Sequence, residues 1–334
     1  MYNKYPIMNF LKSIFIFFKD LRIVKKKNLI KNSETTYQLM RYFYIISDGL
    51  LLNLISKYFD ANTKSPSKFK KGYKRINSIN VNKGNDICNE LFKMSLINDE
   101  VKNEKIKLNK EKDIDFSYYK KKSLVRLDIN PQDLLNNKKI SEFILKKLFV
   151  DEVKNILGTT PYVVGVNAWI TLPAPVLMSN YDDIKKYVSS QLWHRDCDKL
   201  RDIKIMTYLT DVEQDNEGQF EYVENSHFFN FFNPFRYNSS MRLKDDYVQQ
   251  KYKKKIKPLF GKSGTSFIVD TRGIHRGKTI NKKNHFRAML EIYFSNHQFG
   301  KNKSYKKPME NCQSYELWKN ELEKNKNYQF LFNH

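Results

Sequence analysis

The feature that most constrains this fold is a series of short β-branched and aromatic runs in the second half of the chain. The first reads Tyr162-Val163-Val164-Gly165-Val166-Asn167-Ala168-Trp169-Ile170-Thr171-Leu172 and is closed by Pro173 and Pro175. Comparable runs follow at 203–212, 219–223, 265–269 and 286–295. Turn-forming segments separate them, among them Asp215-Asn216-Glu217-Gly218 and Gly261-Lys262-Ser263-Gly264. Several short strands in succession predict an antiparallel sandwich or barrel rather than a βαβ array. The expected fold class is therefore mainly β with added α.

The first half has a different period. Residues 1–60 read as helical, with Leu39, Met40, Phe43, Ile46 and Leu50 at three- and four-residue spacing. A polar Lys/Ser/Asn-rich connector is expected at 62–85 and a short helix at 86–98. Helical spacing resumes over 133–157 through Leu134, Ile140, Phe143, Leu148 and Val153. A helical insertion is expected near 228–252 and a last helix at 314–324. The organisation expected is a basic, largely helical region over 1–120, a β domain over 121–300 and a helical tail over 301–334.

Composition limits the classes open to the chain. With 40% hydrophobic and 14% aromatic residues among 334, it can bury a sizeable core, which excludes wholesale disorder. Sixty Lys and Arg against 36 Asp and Glu give a formal charge of +24. Such an excess can mark a nucleic-acid or anionic-membrane partner. Here it is scattered, as at Lys25–Lys27, Lys68, Lys120–Lys122 and Lys253–Lys255, which fits a solvated surface better, and no nucleic-acid partner is expected. Cys88, Cys197 and Cys312 are odd in number and far apart, so neither a zinc knuckle nor a disulfide scaffold is expected, and a reducing compartment fits. The apolar run Ile14-Phe15-Ile16-Phe17-Phe18, bracketed by Lys12 and Lys19, is too short to span a bilayer. It is suited to packing on its own domain or to lying on a membrane surface. With no signal peptide in view, the expectation is a cytoplasmic protein.

The candidate chemistry lies in histidines and carboxylates. In Gln191-Leu192-Trp193-His194-Arg195-Asp196, the i and i+2 positions of an extended segment face one way, so His194 and Asp196 can reach one ion. Asp270-Thr271-Arg272-Gly273-Ile274-His275-Arg276-Gly277 follows the run 265–269 and supplies His275. Two His and one carboxylate on one face of a metal, with open positions opposite, is the ligand set of non-haem Fe(II) oxygenases. Arg287, on the next run, could form a bidentate pair with a carboxylate of 2-oxoglutarate. Asp198 shares the parity of Asp196 and competes with it as a ligand. His227, His285, His297 and His334 are read as structural or surface residues, and Cys197 as packing. Arg195 and Arg276 are read equally as substrate-positioning residues or ion-pair partners.

These segments, in this order, together with Ile203-Lys204-Ile205-Met206-Thr207-Tyr208-Leu209-Thr210-Asp211-Val212, Gly218 and Tyr222-Val223-Glu224-Asn225-Ser226-His227, resemble the phytanoyl-CoA dioxygenase family of Fe(II)/2-oxoglutarate oxygenases. The resemblance covers about 162–295. It implies a double-stranded β-helix, a cupin-like jelly roll with the metal at one mouth. It implies His194, Asp196 and His275 as catalytic metal ligands for Fe(II), and Arg287 at the distal carboxylate of 2-oxoglutarate, with O2 as the other co-substrate. Asn167 and Tyr208, on inner-strand positions, are candidate 2-oxoglutarate contacts. Arg287 stands twelve residues after His275, slightly more than is usual in the family, and Glu224-Asn225 replaces the Pro-Gly often found before Ser-His. Halogenating relatives lack the carboxylate that Asp196 supplies, so hydroxylation of a small-molecule, lipid or glycan substrate is expected, with succinate and CO2 released. The DNA-repair branch's RxNxTxR-like segment is absent around Arg287-Ala288-Met289-Leu290-Glu291. A jelly roll that binds without turnover is the competing expectation.

Overall fold

The computed structural model describes residues 69, 71–109, 113–158, 160–173, 189–196, 202–227, 242–295 and 305–332. Its organising element is β9 (Arg287–Ser295), where side chains alternate between two environments. Ala288, Leu290, Ile292 and Phe294 pack into one hydrophobic cluster, whereas Met289 belongs to a second and Arg287 and Glu291 line a cavity. The same period of two runs through β3 (Tyr162–Thr171) and β4 (Asp202–Tyr208), where Ala168, Ile170, Ile203 and Ile205 face one way and Trp169, Met206 and Tyr208 the other. A one-residue slip would turn every polar inner residue into the apolar cluster, so this pattern fixes the register.

These strands form a six-stranded sheet in the order β1-β7-β4-β9-β3-β2, completed by β1 (Tyr73–Asn77), β7 (Thr265–Asp270) and β2 (Arg126–Asp128). All its pairings are antiparallel. A second sheet has the order β6-β5-β8, from β6 (Ile256–Leu259), β5 (Phe220–Val223) and β8 (His275–Gly277). Bridges from His194 to His275 and from Trp193 to Leu243 extend this sheet at its β8 edge. Side chains of both sheets, including Met206, Phe267 and Met289 from the large one and Phe220, Tyr222 and Leu259 from the small one, share one buried cluster. The architecture is thus mainly antiparallel β with added helices, jelly-roll-like in having two sheets packed around a cavity.

Helices cover the outer face of the large sheet. Helix α1 (Val81–Leu91) is capped by Asn80, whose side chain accepts from Lys83 N, and buries Ile87, Cys88 and Leu91. The helical spacing expected over 133–157 is realised as three helices, α3 (Pro131–Asn136), α4 (Lys138–Ile144) and α5 (Lys147–Leu157), with α2 (Phe116–Lys121) before them. Asn137 makes the first break, because its backbone is extended and its side chain accepts from Ile140 N, ending one helix and capping the next. Gly158, in the left-handed conformation, ends α5. Between α6 (Asp245–Tyr252) and the end of the described chain, α7 (Tyr315–Lys324) inserts Trp318, whose indole donates to Leu135 O at 3.0 Å and Ser141 Oγ at 2.9 Å.

Two further expectations change. The connector expected at 62–85 contains the edge strand β1 and the start of α1; with Lys74 and Arg75 exposed and Ile76 buried, only one of its side chains reads as core. Strands β6 and β8 were not expected, being four and three residues long with Lys, Pro, Arg and Gly among them. The expected helices over 1–60, positions 228–241 of the expected helical insertion, and Cys197, Asp198, His297 and His334 lie outside the described residues. Among the described residues, no helix is long and apolar enough to cross a membrane.

Candidate metal centre

The site is built where two chain segments zip together. His194 N donates to His275 O at 3.0 Å, His275 N returns the bond to His194 O at 2.9 Å, and Asp196 N donates to Thr271 O at 2.8 Å. This holds His194, Asp196 and His275 with one ligand atom from each within 4.8 Å of the others, a group able to hold a metal ion. The segment 193–196 is thus a bridged extended stretch rather than a regular strand, and the i, i+2 geometry persists because its backbone is bonded on both sides of Arg195.

Both imidazoles are fixed in the same sense. His194 Nδ1 lies 2.7 Å from Leu192 O and His275 Nδ1 lies 2.9 Å from Gly273 O. A carbonyl can only accept, so each Nδ1 carries the proton and each Nε2 lone pair is left for a cation. Those Nε2 atoms stand 3.6 and 3.5 Å from the two oxygens of Asp196. Phe220 stacks against His275 with ring centroids 5.4 Å apart. Burial, reinforced by the neighbouring His275, pushes the His194 imidazole down to about 3, so it is neutral at ordinary pH. Burial alone would raise the Asp196 carboxyl; the Lys204 ammonium, followed by the two imidazoles beside it, outweighs burial and holds it well below the usual carboxylate range. The cluster therefore offers two imidazole Nε2 atoms, that of His194 on a neutral ring, and an ionised oxygen donor.

The turn leading to His275 depends on one glycine. A Cβ on Gly273 would stand 1.9 Å from the Tyr222 hydroxyl, which donates to Asp270 O at 2.9 Å. The carboxylate of Asp270 is bidentate to Arg272, at 2.9 and 2.7 Å. Arg195 braces the other segment by donating to Ser226 O and Arg272 O. Arg276 points out of the site, with Glu221 and Asp245 each at 2.7 Å and its guanidinium 4.4 Å over the Trp193 ring. Both arginines that flank the ligands are thus engaged with protein groups, and neither lines the cavity.

The cluster opens into a cavity of about 420 Å³ whose walls come from both sheets. Arg287 lines it and is 4% exposed. Its guanidinium donates to Gly218 O and, at 3.1 Å, to Thr171 Oγ1, while Nε has no partner. Among the described residues no carboxylate pairs with it. Burial lowers it to about 10, still a cation at neutral pH. A buried guanidinium without an anion costs several kcal/mol, so the position is shaped for an anionic ligand.

Asn167 also lines the cavity and donates to Glu291 Oε1 at 2.9 Å. Tyr208 does not line it: its hydroxyl donates to Leu259 O at 2.7 Å and accepts from Phe220 N at 2.8 Å, tying the sheets together. His227 is buried on the turn after β5, 6.3 Å from the Phe69 ring, and His285 faces Glu217; neither joins the cluster. Sequence reasoning missed Lys204, Thr171, Gly277, Arg126 and Glu291, all close to the site. The parity that selects Asn167 also selects Thr171, and a lysine between Ile203 and Ile205 was a signal in itself.

No protein-family profile and no curated protein matches the sequence. Several solved structures are similar at low identity. HygX from Streptomyces hygroscopicus, with nickel, 2-oxoglutarate and hygromycin B bound, is 10% identical over 73% of this chain and 90% of its own, with a TM-score of 0.45. SnoK, a non-heme alpha ketoglutarate dependent carbocyclase from nogalamycin biosynthesis, is 14% identical over 75% of this chain and 87% of its own, at 0.44. EctD from S. alaskensis is 11% identical over 72% and 76%, at 0.45.

Proposed function

We propose that this protein is an Fe(II)- and 2-oxoglutarate-dependent oxygenase on a double-stranded β-helix, of the phytanoyl-CoA dioxygenase type, that hydroxylates a C–H bond of a small-molecule, lipid or glycan substrate. The observation that carries the reading is the pairing, in one cavity, of a His-Asp-His cluster with a buried guanidinium that has no carboxylate partner among the described residues. The donor set fits the metal: two imidazole nitrogens and one carboxylate, with part of the coordination sphere left to the cavity, is the arrangement of non-haem Fe(II) oxygenases. When bound, iron with 2-oxoglutarate and O2 supplies an oxidation that inserts one oxygen atom into the substrate and leaves succinate and CO2 as the other products.

The chain's own residues do the rest. His194, Asp196 and His275 hold the metal, and the carbonyls of Leu192 and Gly273 keep both rings aimed. Arg287 receives the distal carboxylate of 2-oxoglutarate, with Thr171 and Gly218 O fixing the guanidinium. Phe220, Met206, Met289 and Trp169 give the cavity apolar walls that limit water.

The test is turnover of labelled 2-oxoglutarate by anaerobically purified protein given Fe(II) and then O2. Succinate and CO2 should form and should vanish in His194→Ala. Absence of Fe(II) and 2-oxoglutarate binding at micromolar concentrations would defeat the reading and favour a jelly roll that binds without turnover.

A further inference from the structure

We propose that Lys204 is a positioning residue that reserves one carboxylate oxygen of Asp196, so that Asp196 presents a single oxygen to the metal. The inference rests on the metal and 2-oxoglutarate reading above. Lys204 occupies the inward row of β4 with Met206 and Tyr208, while Ile203 and Ile205 on either side face the helices. Its side chain is only 12% exposed, and Nζ donates to Asp196 Oδ2 at 2.9 Å. The ammonium also stands 3.2 Å from Glu291 Oε2. Glu291 is itself held, since Asn167 is its register partner on β3 and donates to Oε1 at 2.9 Å. The Tyr293 ring lies 5.0 Å from Nζ. Burying an ammonium is expensive unless it is paired, and here two carboxylates from different elements pair it.

Coordination arithmetic gives this contact its consequence. On an octahedral ion, three single-atom protein ligands leave three positions. A chelating 2-oxoglutarate and O2 need all three. A carboxylate has two oxygens, and Asp196 bound through both would take one of these positions. Oδ2 also lies 3.5 Å from His275 Nε2, and a charge-assisted hydrogen bond from Lys204 disfavours its joining Oδ1 on the metal. Asn167 and Glu291 then act one step further out, keeping Lys204 extended toward Asp196.

The test compares the full-length protein with Lys204→Met, Lys204→Gln and Lys204→Arg, using Co(II) as the metal. Three readouts are taken: Co(II) affinity, 2-oxoglutarate affinity of the Co(II) form followed by its visible absorption, and melting temperature. In Lys204→Met, Co(II) should bind as tightly as in wild type or tighter, because a cation has left the neighbourhood of a cation. Its affinity for 2-oxoglutarate should fall roughly tenfold or more, in the range typical of lost outer partners of metal ligands. The Co(II) spectrum should change before 2-oxoglutarate is added. Lys204→Arg should recover most of the affinity. If Lys204→Met does not fold, Lys204→Gln carries the comparison, with a smaller loss because a neutral donor remains. Unchanged 2-oxoglutarate affinity and an unchanged spectrum would overturn the inference. Parallel loss of Co(II) binding and melting temperature would also overturn it, reducing Lys204 to a structural ion pair. If the wild-type protein binds neither Co(II) nor 2-oxoglutarate, the parent reading fails and this inference falls with it.

Discussion

Gly277→Ala isolates the role assigned to Arg287 without altering any residue that bears a donor atom. Gly277 ends β8, two residues after His275, and its backbone is not in the left-handed region, so alanine carries no conformational penalty there. The added methyl would stand 2.7 Å from Arg287 Nη2 and 3.0 Å from Nη1, and the three atoms nearest to it all belong to Arg287. Separations this short force the guanidinium to shift, and a shift disturbs its hydrogen bonds to Gly218 O and Thr171 Oγ1. On the proposed reading, the shift misaligns the pair between Arg287 and the distal carboxylate of 2-oxoglutarate. A hydrogen bond to a charged group contributes about 1.5–3 kcal/mol, so affinity for 2-oxoglutarate should fall roughly ten- to a hundredfold. Calorimetric titration of 2-oxoglutarate into the Co(II)-loaded protein measures this, and titration of Co(II) alone should give the wild-type affinity. Unchanged 2-oxoglutarate affinity would refute the placement of the co-substrate against Arg287. Loss of Co(II) binding as well would show that the methyl disturbs His275, and the reasoning would fail.

Two further outcomes are expected. The folded-state pKa of His194, about 3, lies below the ordinary 6.5, so as pH falls the unfolded chain takes up this proton before the folded one does. The metal-free protein should therefore lose stability progressively as pH drops from 6.5 toward 3, and a melting temperature that stays flat across that window would contradict the assignment. Tyr208→Phe leaves Leu259 O and Phe220 N without their shared hydroxyl, which should cost about 1–3 kcal/mol in denaturant unfolding. It should leave 2-oxoglutarate affinity unchanged, whereas a large loss would place Tyr208 in the co-substrate site.

Much of the large sheet was legible in the sequence because its strands are long and strongly patterned. The runs at 162–172, 265–269 and 286–295 coincide closely with β3, β7 and β9, since each buries an apolar row on one face of the sheet. The run 203–212 overshoots, because β4 ends at Tyr208. Strand β8 is three residues long and β6 contains Pro258, so neither carries a period of its own; they exist because β5 pairs with both. The His-x-Asp pair was legible from its spacing and the distal His from its place after a predicted strand and from the family resemblance, and the fold brings them together. The residues around them were not. Lys204 meets Glu291 only because β4 and β9 pair in a register that sets Met206 opposite Glu291, and Gly277 meets Arg287 across two sheets. Such contacts depend on alignment between strands distant in the chain, which local pattern does not encode.

The central claim is that His194, Asp196, His275 and Arg287 together hold a metal and 2-oxoglutarate in one cavity. Its most direct test is anaerobic titration of 2-oxoglutarate into the Fe(II)-loaded protein, followed by the visible absorption band that arises when 2-oxoglutarate chelates iron. The account predicts a saturable band at one equivalent that is missing in Asp196→Ala and shifted to higher 2-oxoglutarate concentration in Arg287→Gln. A protein that retains Fe(II) yet develops no band at saturating 2-oxoglutarate, or a band indifferent to both substitutions, would contradict it.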